Sequence, residues 1–375
     1  MIIRAPMFAA IALLWVSRAE AIPYYARKYD VRCGTCHTLP PMLNETGQGF
    51  VASGYRFRTP RNVFRTVPLA VWLTERLEVN PDGTTKGFPN RVELISSDAV
   101  TPWLSYFIEW RTLSKQTTGA NRLLDRSGRF EDLFVLFQLP RRVSLTAGQF
   151  RMVNQWDVSR RLTLSEPLAF SASVPGDRAR SARLQGLRAF ALSGRAPALR
   201  ATWQSHAGEG ESDGWYHEVT LPFTGELSLP LGEAARQNAS FEFEAKPKGV
   251  VYETYLRRSL SSAGFAVFAG DERWVANLTG TLQVGDHHVM GSIGRARFPT
   301  AQQEYRVSIG TVWVPRRWFA AGARLDDRSA NGVSPSFFPH ANFSFPGEKF
   351  TFLAIVEPRV QRRNNGLAIE LSAVF

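Results

Sequence analysis

The chain has 375 residues, 44% of them hydrophobic and 21% charged, and 45 Lys and Arg against 33 Asp and Glu give it a formal net charge of +12. That length allows more than one domain, yet beyond the first twenty or so residues no segment offers the ~18 consecutive apolar residues of a spanning helix, which excludes a helical membrane protein. The basic balance invites nucleic acid as a partner, but no nucleic-acid-binding motif accompanies it.

The N-terminus reads as an export signal. Met1–Pro6 carries one arginine, Met7–Val16 is an apolar run of h-region length, and Ala19-Glu20-Ala21 is a small-x-small cleavage site, so the mature chain is expected to begin at Ile22. The apolar run is about half of the ~20 residues a membrane anchor needs. An exported chain does not meet nucleic acid, and its basic groups are better placed lining a lumen or facing anionic lipid and acidic partners.

Just beyond the signal lies the only cysteine pair, in Cys33-Gly34-Thr35-Cys36-His37. This is the spacing of c-type haem attachment: two thiols can each add to a vinyl group of one haem, and the following histidine binds the iron from the proximal side. A disulfide redox motif would sit in a thioredoxin-like βαβ unit, which the flanks Tyr29–Arg32 and Thr38–Pro41 do not offer. Structural zinc wants four ligands, and the chain has no third cysteine and no matching His pair. The site residues are therefore Cys33 and Cys36 as thioether anchors and His37 as axial ligand, with one covalent haem c.

From Val67 onward strand-like alternation recurs. Tyr305, Val307, Ile309, Thr311 and Trp313 alternate with Glu304, Arg306, Ser308 and Gly310; Phe241, Phe243 and Ala245 alternate with Ser240, Glu242 and Glu244. In the same way Leu69, Val71 and Leu73 face away from Ala70, Trp72 and Thr74, and Leu104, Tyr106, Ile108 and Trp110 from Ser105, Phe107, Glu109 and Arg111. A soluble sandwich gives the same period as a membrane barrel. Three features favour the barrel: roughly sixteen strand candidates near the ~10 residues that cross an outer membrane, tight turns at Pro140-Arg141-Arg142 and Pro315-Arg316-Arg317, and a final alternating stretch, Leu367 to Phe375, that stops on an aromatic residue. Longer polar connections run over Ser114–Arg129, Met152–Ala182, Gly208–Gly214 and Asp326–Pro339. Trp72, Trp103, Trp110, Trp313 and Trp318 lie near strand ends, where interfacial girdles belong.

The organisation expected is thus a signal peptide over 1–21, a c-type haem-binding segment over 22–62, and a porin-like barrel over 63–375. The fold class is all-β: an outer-membrane antiparallel barrel of about 16 strands with a small, partly helical haem segment in its lumen or at its periplasmic mouth. Some forty residues cannot bury a haem by themselves. The missing wall is expected from the barrel.

Tyr25-Ala26-Arg27-Lys28-Tyr29, the CGTCH motif, Pro41-x-Leu43-Asn44, Gly47-x-x-Phe50 and Gly54-Tyr55 together resemble the haem segment of the fused monohaem cytochrome-porins, outer-membrane cytochromes of the kind found in iron-oxidising bacteria. Glu131-Asp132-x-Phe134-Val135 with Gly148-Gln149-Phe150-Arg151 and the stretch to Glu166 resembles a hairpin of phosphate-selective and related porins. The resemblance implies an electron-transfer protein rather than a conventional enzyme, with Fe(II) a candidate donor. It implies as partners an extracellular redox donor or acceptor, a periplasmic c-type cytochrome or other carrier, and outer-membrane lipid. The residues themselves leave open a diffusion porin with a structural or sensory haem, and a haem enzyme acting on peroxide or a nitrogen oxide.

No distal ligand declares itself. Met42 follows His37 too closely, across two prolines, to reach the opposite haem face, and Met152 and Met290 read as packing residues. If a barrel histidine serves, His287 or His288 is the candidate, because adjacent strand residues face opposite sides and one of them must face the lumen; a vacant or water-bound distal site is equally open.

Overall fold

The structure is a computed structural model and describes residues 23–57, 68–79, 85–117, 123–125, 127–152, 162, 164, 195–206, 212–225, 243–244, 249–270, 273–298, 301–328, 335–346, 351–361 and 365–374. Sixteen antiparallel strands close a barrel. In chain order they are β1 (Ala70–Val79), β2 (Thr85–Thr101), β3 (Leu104–Thr117), β4 (Arg129–Leu139), β5 (Val143–Arg151), β6 (Arg195–His206), β7 (Gly214–Pro222) and β8 (Gly249–Arg258). The second half comprises β9 (Ser261–Gly270), β10 (Arg273–Val284), β11 (His287–Phe298), β12 (Ala301–Arg316), β13 (Phe319–Arg328), β14 (Ser336–Pro346), β15 (Thr351–Gln361) and β16 (Gly366–Val374). Each pairs with its sequence neighbour, and β16 pairs with β1 from Leu367↔Val79 to Val374↔Trp72, so no edge strand remains. The expected antiparallel barrel of about 16 strands, with a small, partly helical N-terminal part, is the architecture observed. The signal stretch, the boundary between the haem segment and the barrel, terminal Phe375, and most of the Phe241–Ala245 and Met152–Ala182 stretches lie outside the described residues; Phe243–Glu244 forms a two-residue ladder with Thr224–Gly225.

Alternation alone could not say which face meets water, and exposure decides it. Leu278, Ile293 and Ile309 are 59%, 51% and 55% exposed, whereas Asn277, Ser292 and Ser308, the residues just before them, are 3%, 4% and 0% exposed. The apolar face points outward and the polar face inward, the reverse of a soluble sandwich and the arrangement of a membrane barrel. Inside, Arg111 Nε and Arg91 Nε lie 3.0 and 3.2 Å from Glu93 Oε1. Arg324 Nε donates to Asp326 at 3.0 Å, and Thr74 and Ser372 bond across the β1/β16 seam at 3.1 Å. Trp103, Trp203, Trp215, Trp313 and Trp318 are exposed near one rim, as an interfacial girdle requires. Trp72 is not part of it: it shares the inward parity of Thr74.

That rim carries connections of two or three residues at 102–103, Pro140–Arg142, 259–260, 285–286 and 317–318, while 118–128, 152–194, 223–248 and 329–335 join strands at the other. Gly208–Gly214 does not join them. Strand parity brings the β6/β7 connection to the tight-turn rim, where Asp213 Oδ1 accepts from Ser259 N at 2.8 Å. Two residues between β5 and β6 lie inside the barrel: Leu162 is buried, and the backbone N–H of Leu164 donates to Glu357 Oε2 on the inner face of β15 at 2.8 Å. Residues 23–57 occupy the tight-turn mouth. Leu39 and Met42 join Met290, Val312, Val314 and Ala320 of β11–β13 in a buried apolar cluster.

Candidate cofactor site

The mouth segment consists of α1 (Pro23–Tyr29), a single 3-10 turn (Cys33–Thr35), a two-stranded hairpin (His37–Leu39 with Met42–Leu43) and α2 (Glu45–Ala52). Asn44 organises it. Its Oδ1 caps α2 by accepting from Gly47 N at 3.0 Å, while its Nδ2 donates to the carbonyls of Gly34 and Thr35 at 3.3 and 3.1 Å. Its own N–H donates to Cys36 O at 2.9 Å. One side chain thus fixes the helix start and the cysteine loop together. Gly47 lets the helix lie directly on that loop, because a Cβ there would come within 2.1 Å of Cys36 O.

Aromatic packing supplies the segment's small core. Phe50 meets Tyr25 and Tyr29 edge-on at 4.7 and 5.7 Å, and Tyr55 carries the contact to Phe107 of β3 at 5.6 Å. Polar ties then hold the segment to the barrel. Asp98 of β2 accepts from Tyr24 Oη and pairs with the buried ammonium of Lys28. Ser105 Oγ donates to Gly54 O at 2.7 Å, and Gln138 Nε2 to Ala52 O at 3.0 Å. Burial pushes the phenols of Tyr24 and Tyr25 up, and that of Tyr29 to about 12, so they stay protonated donors at any ordinary pH.

Between segment and barrel is a cavity of about 570 Å³. Cys33, Cys36 and His37 line it from the segment, and Phe107, Phe134, Phe150, Arg200, Tyr255 and Arg257 are among the residues lining it from β3–β8. The three residues of the motif therefore open onto one space whose far wall is the barrel. Gly148, with φ +133°, lets β5 approach β4 beneath Phe134: a Cβ there would come within 2.2 Å of Leu133 O. Met42 faces the apolar cluster and does not line the cavity. His287 is exposed and stacks on Trp313 at 6.2 Å; His288 is buried on the inner face of β11 with Nε2 unpartnered. Neither lines the cavity.

Both cysteines are thiols rather than a disulfide. Burial, with the neighbouring Cys33 adding to it, pushes the Cys36 thiol up to about 11. Redox-active CxxC thiols are shifted the other way. Unmatured protein will accordingly show slow alkylation of Cys36 by iodoacetamide at pH 8, with roughly 100-fold less thiolate than an ordinary cysteine, accelerating steeply toward pH 11. Rapid alkylation at neutral pH would contradict this burial.

The CxxCH motif and the aromatic residues of this site were legible in the sequence. The Lys28–Asp98 pair was not, because its members lie 70 residues apart and carry no local pattern. The capping residue Asn44 stood in the motif without its role being apparent.

No family profile and no curated protein matches the sequence. Among solved structures the chain is similar to the anion-selective porin from Comamonas acidovorans, with a TM-score of 0.50 and 10% sequence identity over 82% of this chain and 98% of that one. It is also similar to OprB of Pseudomonas putida (TM-score 0.47, 9% identity, 82% and 92% covered) and to a loop-deletion mutant of OmpT of Vibrio cholerae (TM-score 0.44, 11% identity, 82% and 98% covered). At 10% identity the likeness to the Comamonas acidovorans porin shows the fold alone: a porin-like, outer-membrane-type β-barrel.

Proposed function

We propose that this protein is a monohaem c-type cytochrome fused to a porin-like barrel, transferring electrons across the outer membrane between an extracellular donor or acceptor and a periplasmic carrier such as a c-type cytochrome. Fe(II) is the donor suggested by the resemblance. The observation that carries the reading is the cavity shared by Cys33, Cys36, His37 and the barrel wall.

The residues fit the cofactor. The cavity falls within the ~300–1,000 Å³ of cofactor-sized pockets, and its lining mixes aromatic surface with guanidinium groups. Two thiols and an imidazole at CxxCH spacing are the donor set that c-type attachment uses. Haem c held there supplies a one-electron centre whose potential follows its axial ligand and burial. Cys33 and Cys36 would hold it, His37 would bind its iron, and Tyr25, Phe50, Phe134 and Phe150 would keep water from it. Since tight turns face the periplasm in bacterial outer-membrane barrels, the motif would lie at the periplasmic mouth, within reach of a soluble carrier. Against a diffusion porin with a structural or sensory haem, residues 23–57 occupy the tight-turn mouth and Leu162 and Leu164 lie inside the barrel.

The test is haem staining of outer-membrane fractions from a host with c-type maturation, run unboiled and boiled, beside Cys36→Ser. A stained band that shifts on boiling and loses only its stain in the variant is the expected result. A stain confined to the soluble periplasm would sink the proposal.

A further inference from the structure

Among the described residues five arginines line the cavity, Arg32, Arg142, Arg151, Arg200 and Arg257, against two carboxylates, Asp132 and Glu218. An excess of guanidinium in an enclosed space is costly unless anionic groups answer it. The five are not equivalent. Arg200 is already engaged, with Nε donating to Thr220 Oγ1 at 2.9 Å and Nη2 to Arg151 O at 2.5 Å, and its guanidinium over the Phe150 ring at 4.7 Å. Glu218 is engaged with it, 3.5 Å from Arg200 Nε and 3.4 Å from Tyr255 Oη.

Arg257 lacks such hydrogen bonds among the described residues, although the charges of Glu218 and Glu253 act on it. Its guanidinium lies 5.5 and 5.3 Å from the ring centroids of Tyr216 and Tyr255, which stack on each other at 4.7 Å and 7°. The stacked pair holds the cation in place, and among the described residues its N–H groups donate to none. A cation–π contact satisfies none of the N–H groups, so the guanidinium fork, the part that matches a carboxylate, is left to an anion. The Tyr216, Tyr255 and Arg257 cluster belongs to β7 and β8, whereas the cysteines sit on a segment tied to β2–β4. The two sets line the same cavity.

Resting on the haem reading above, we propose that Arg257, held by Tyr216 and Tyr255, is a carboxylate-binding site that takes the propionate groups of the cofactor. A haem attached through its vinyl groups carries its propionates on the opposite edge of the macrocycle, directed away from Cys33 and Cys36. Arg257 would then fix the rotation of the ring in the cavity, a task that two flexible thioethers leave open. A free carboxylate or phosphate presents the same chemistry, so the test must separate the two.

Full-length unmatured protein, its barrel verified by a heat-dependent mobility shift, is titrated with zinc protoporphyrin IX and with the dimethyl ester of the same porphyrin. The diacid is expected to bind about tenfold tighter or more, as charge-assisted hydrogen bonds require. Arg257→Gln should erase that preference, Arg257→Lys should keep part of it, and Arg258→Gln, at an exposed neighbour, should leave it intact. Equal affinity for acid and ester in the wild type overturns the proposal, as does a preference that survives in a folded Arg257→Gln protein. Inorganic phosphate binding that depends on Arg257, without any acid-over-ester preference, assigns the site to a free anion and overturns it as well. Haem staining of matured protein in parallel keeps the two claims apart. No stain with the acid preference intact sinks the c-type reading alone; a stain without the preference sinks the anchor alone.

Discussion

Asp98→Ala will release the N-terminal segment from the barrel mouth and turn a plugged barrel into a conducting one. Asp98 receives both the Lys28 ammonium and the Tyr24 hydroxyl, and Lys28 is only 2% exposed. Removing one partner of a buried pair leaves an uncompensated charge, at a cost of roughly 3–5 kcal/mol. The segment is also tied by neutral hydrogen bonds worth about 1 kcal/mol each, Ser105 to Gly54, Gln138 to Ala52 and Tyr25 to Ser97, by the Arg56 guanidinium on Pro102 O and Ser105 Oγ, and by the burial of Leu39 and Met42, but none of these leaves a buried charge unanswered when Asp98 is removed. The local opening equilibrium should therefore shift by roughly 100-fold or more. Single-channel recording in planar bilayers will read it as long-lived open conductance where the wild type is mostly closed, with the heat-dependent mobility shift of the barrel unchanged. Asp98→Asn, which can still accept from Tyr24 but cannot pair with Lys28, should fall between. Wild-type conductance in Asp98→Ala would mean that something other than this pair holds the segment.

The division between what the sequence disclosed and what it withheld follows the range of the interactions. Tyr305, Ile309 and Trp313 against Arg306 and Ser308 gave a strand with two unlike faces, because alternation is local. Which face met lipid depended on closure of β16 onto β1, a pairing of residues about 300 apart that no window contains. Trp72 looked like a girdle residue by composition and place, yet parity turns it inward with Thr74. The Gly208–Gly214 connection looked like the longer loops by its polar residues, but the number of strand crossings before it, not its composition, sends it to the tight-turn rim. The cysteine motif was legible because Cys33, Cys36 and His37 lie within five consecutive residues. Asp98 acts on a lysine 70 residues before it and left no mark nearby.

His37→Gly will separate assembly from redox function. Sheet closure runs through β1–β16, none of which contains His37, so the barrel should insert and keep its heat-dependent shift. Within its own segment His37 pairs with Leu43 in a short hairpin, and the loop before it is held by Asn44. Cys33 and Cys36 should therefore still be linked by the maturation machinery in a measurable fraction of molecules. What the variant lacks is the imidazole on the cavity, and electron transfer should fall by roughly 100-fold or more, since even outer-shell partners of a metal ligand cost up to that much. The substitution leaves a hole the size of the missing ring beside the cavity, so millimolar free imidazole should enter it and restore the absorption spectrum and part of the rate. Rescue by imidazole assigns the loss to the missing ligand. If the His37→Gly spectrum already matches wild type, His37 is a hairpin residue and the axial role belongs elsewhere; if the spectrum changes and imidazole does nothing, the hairpin has collapsed and the motif depends on His37 for its shape.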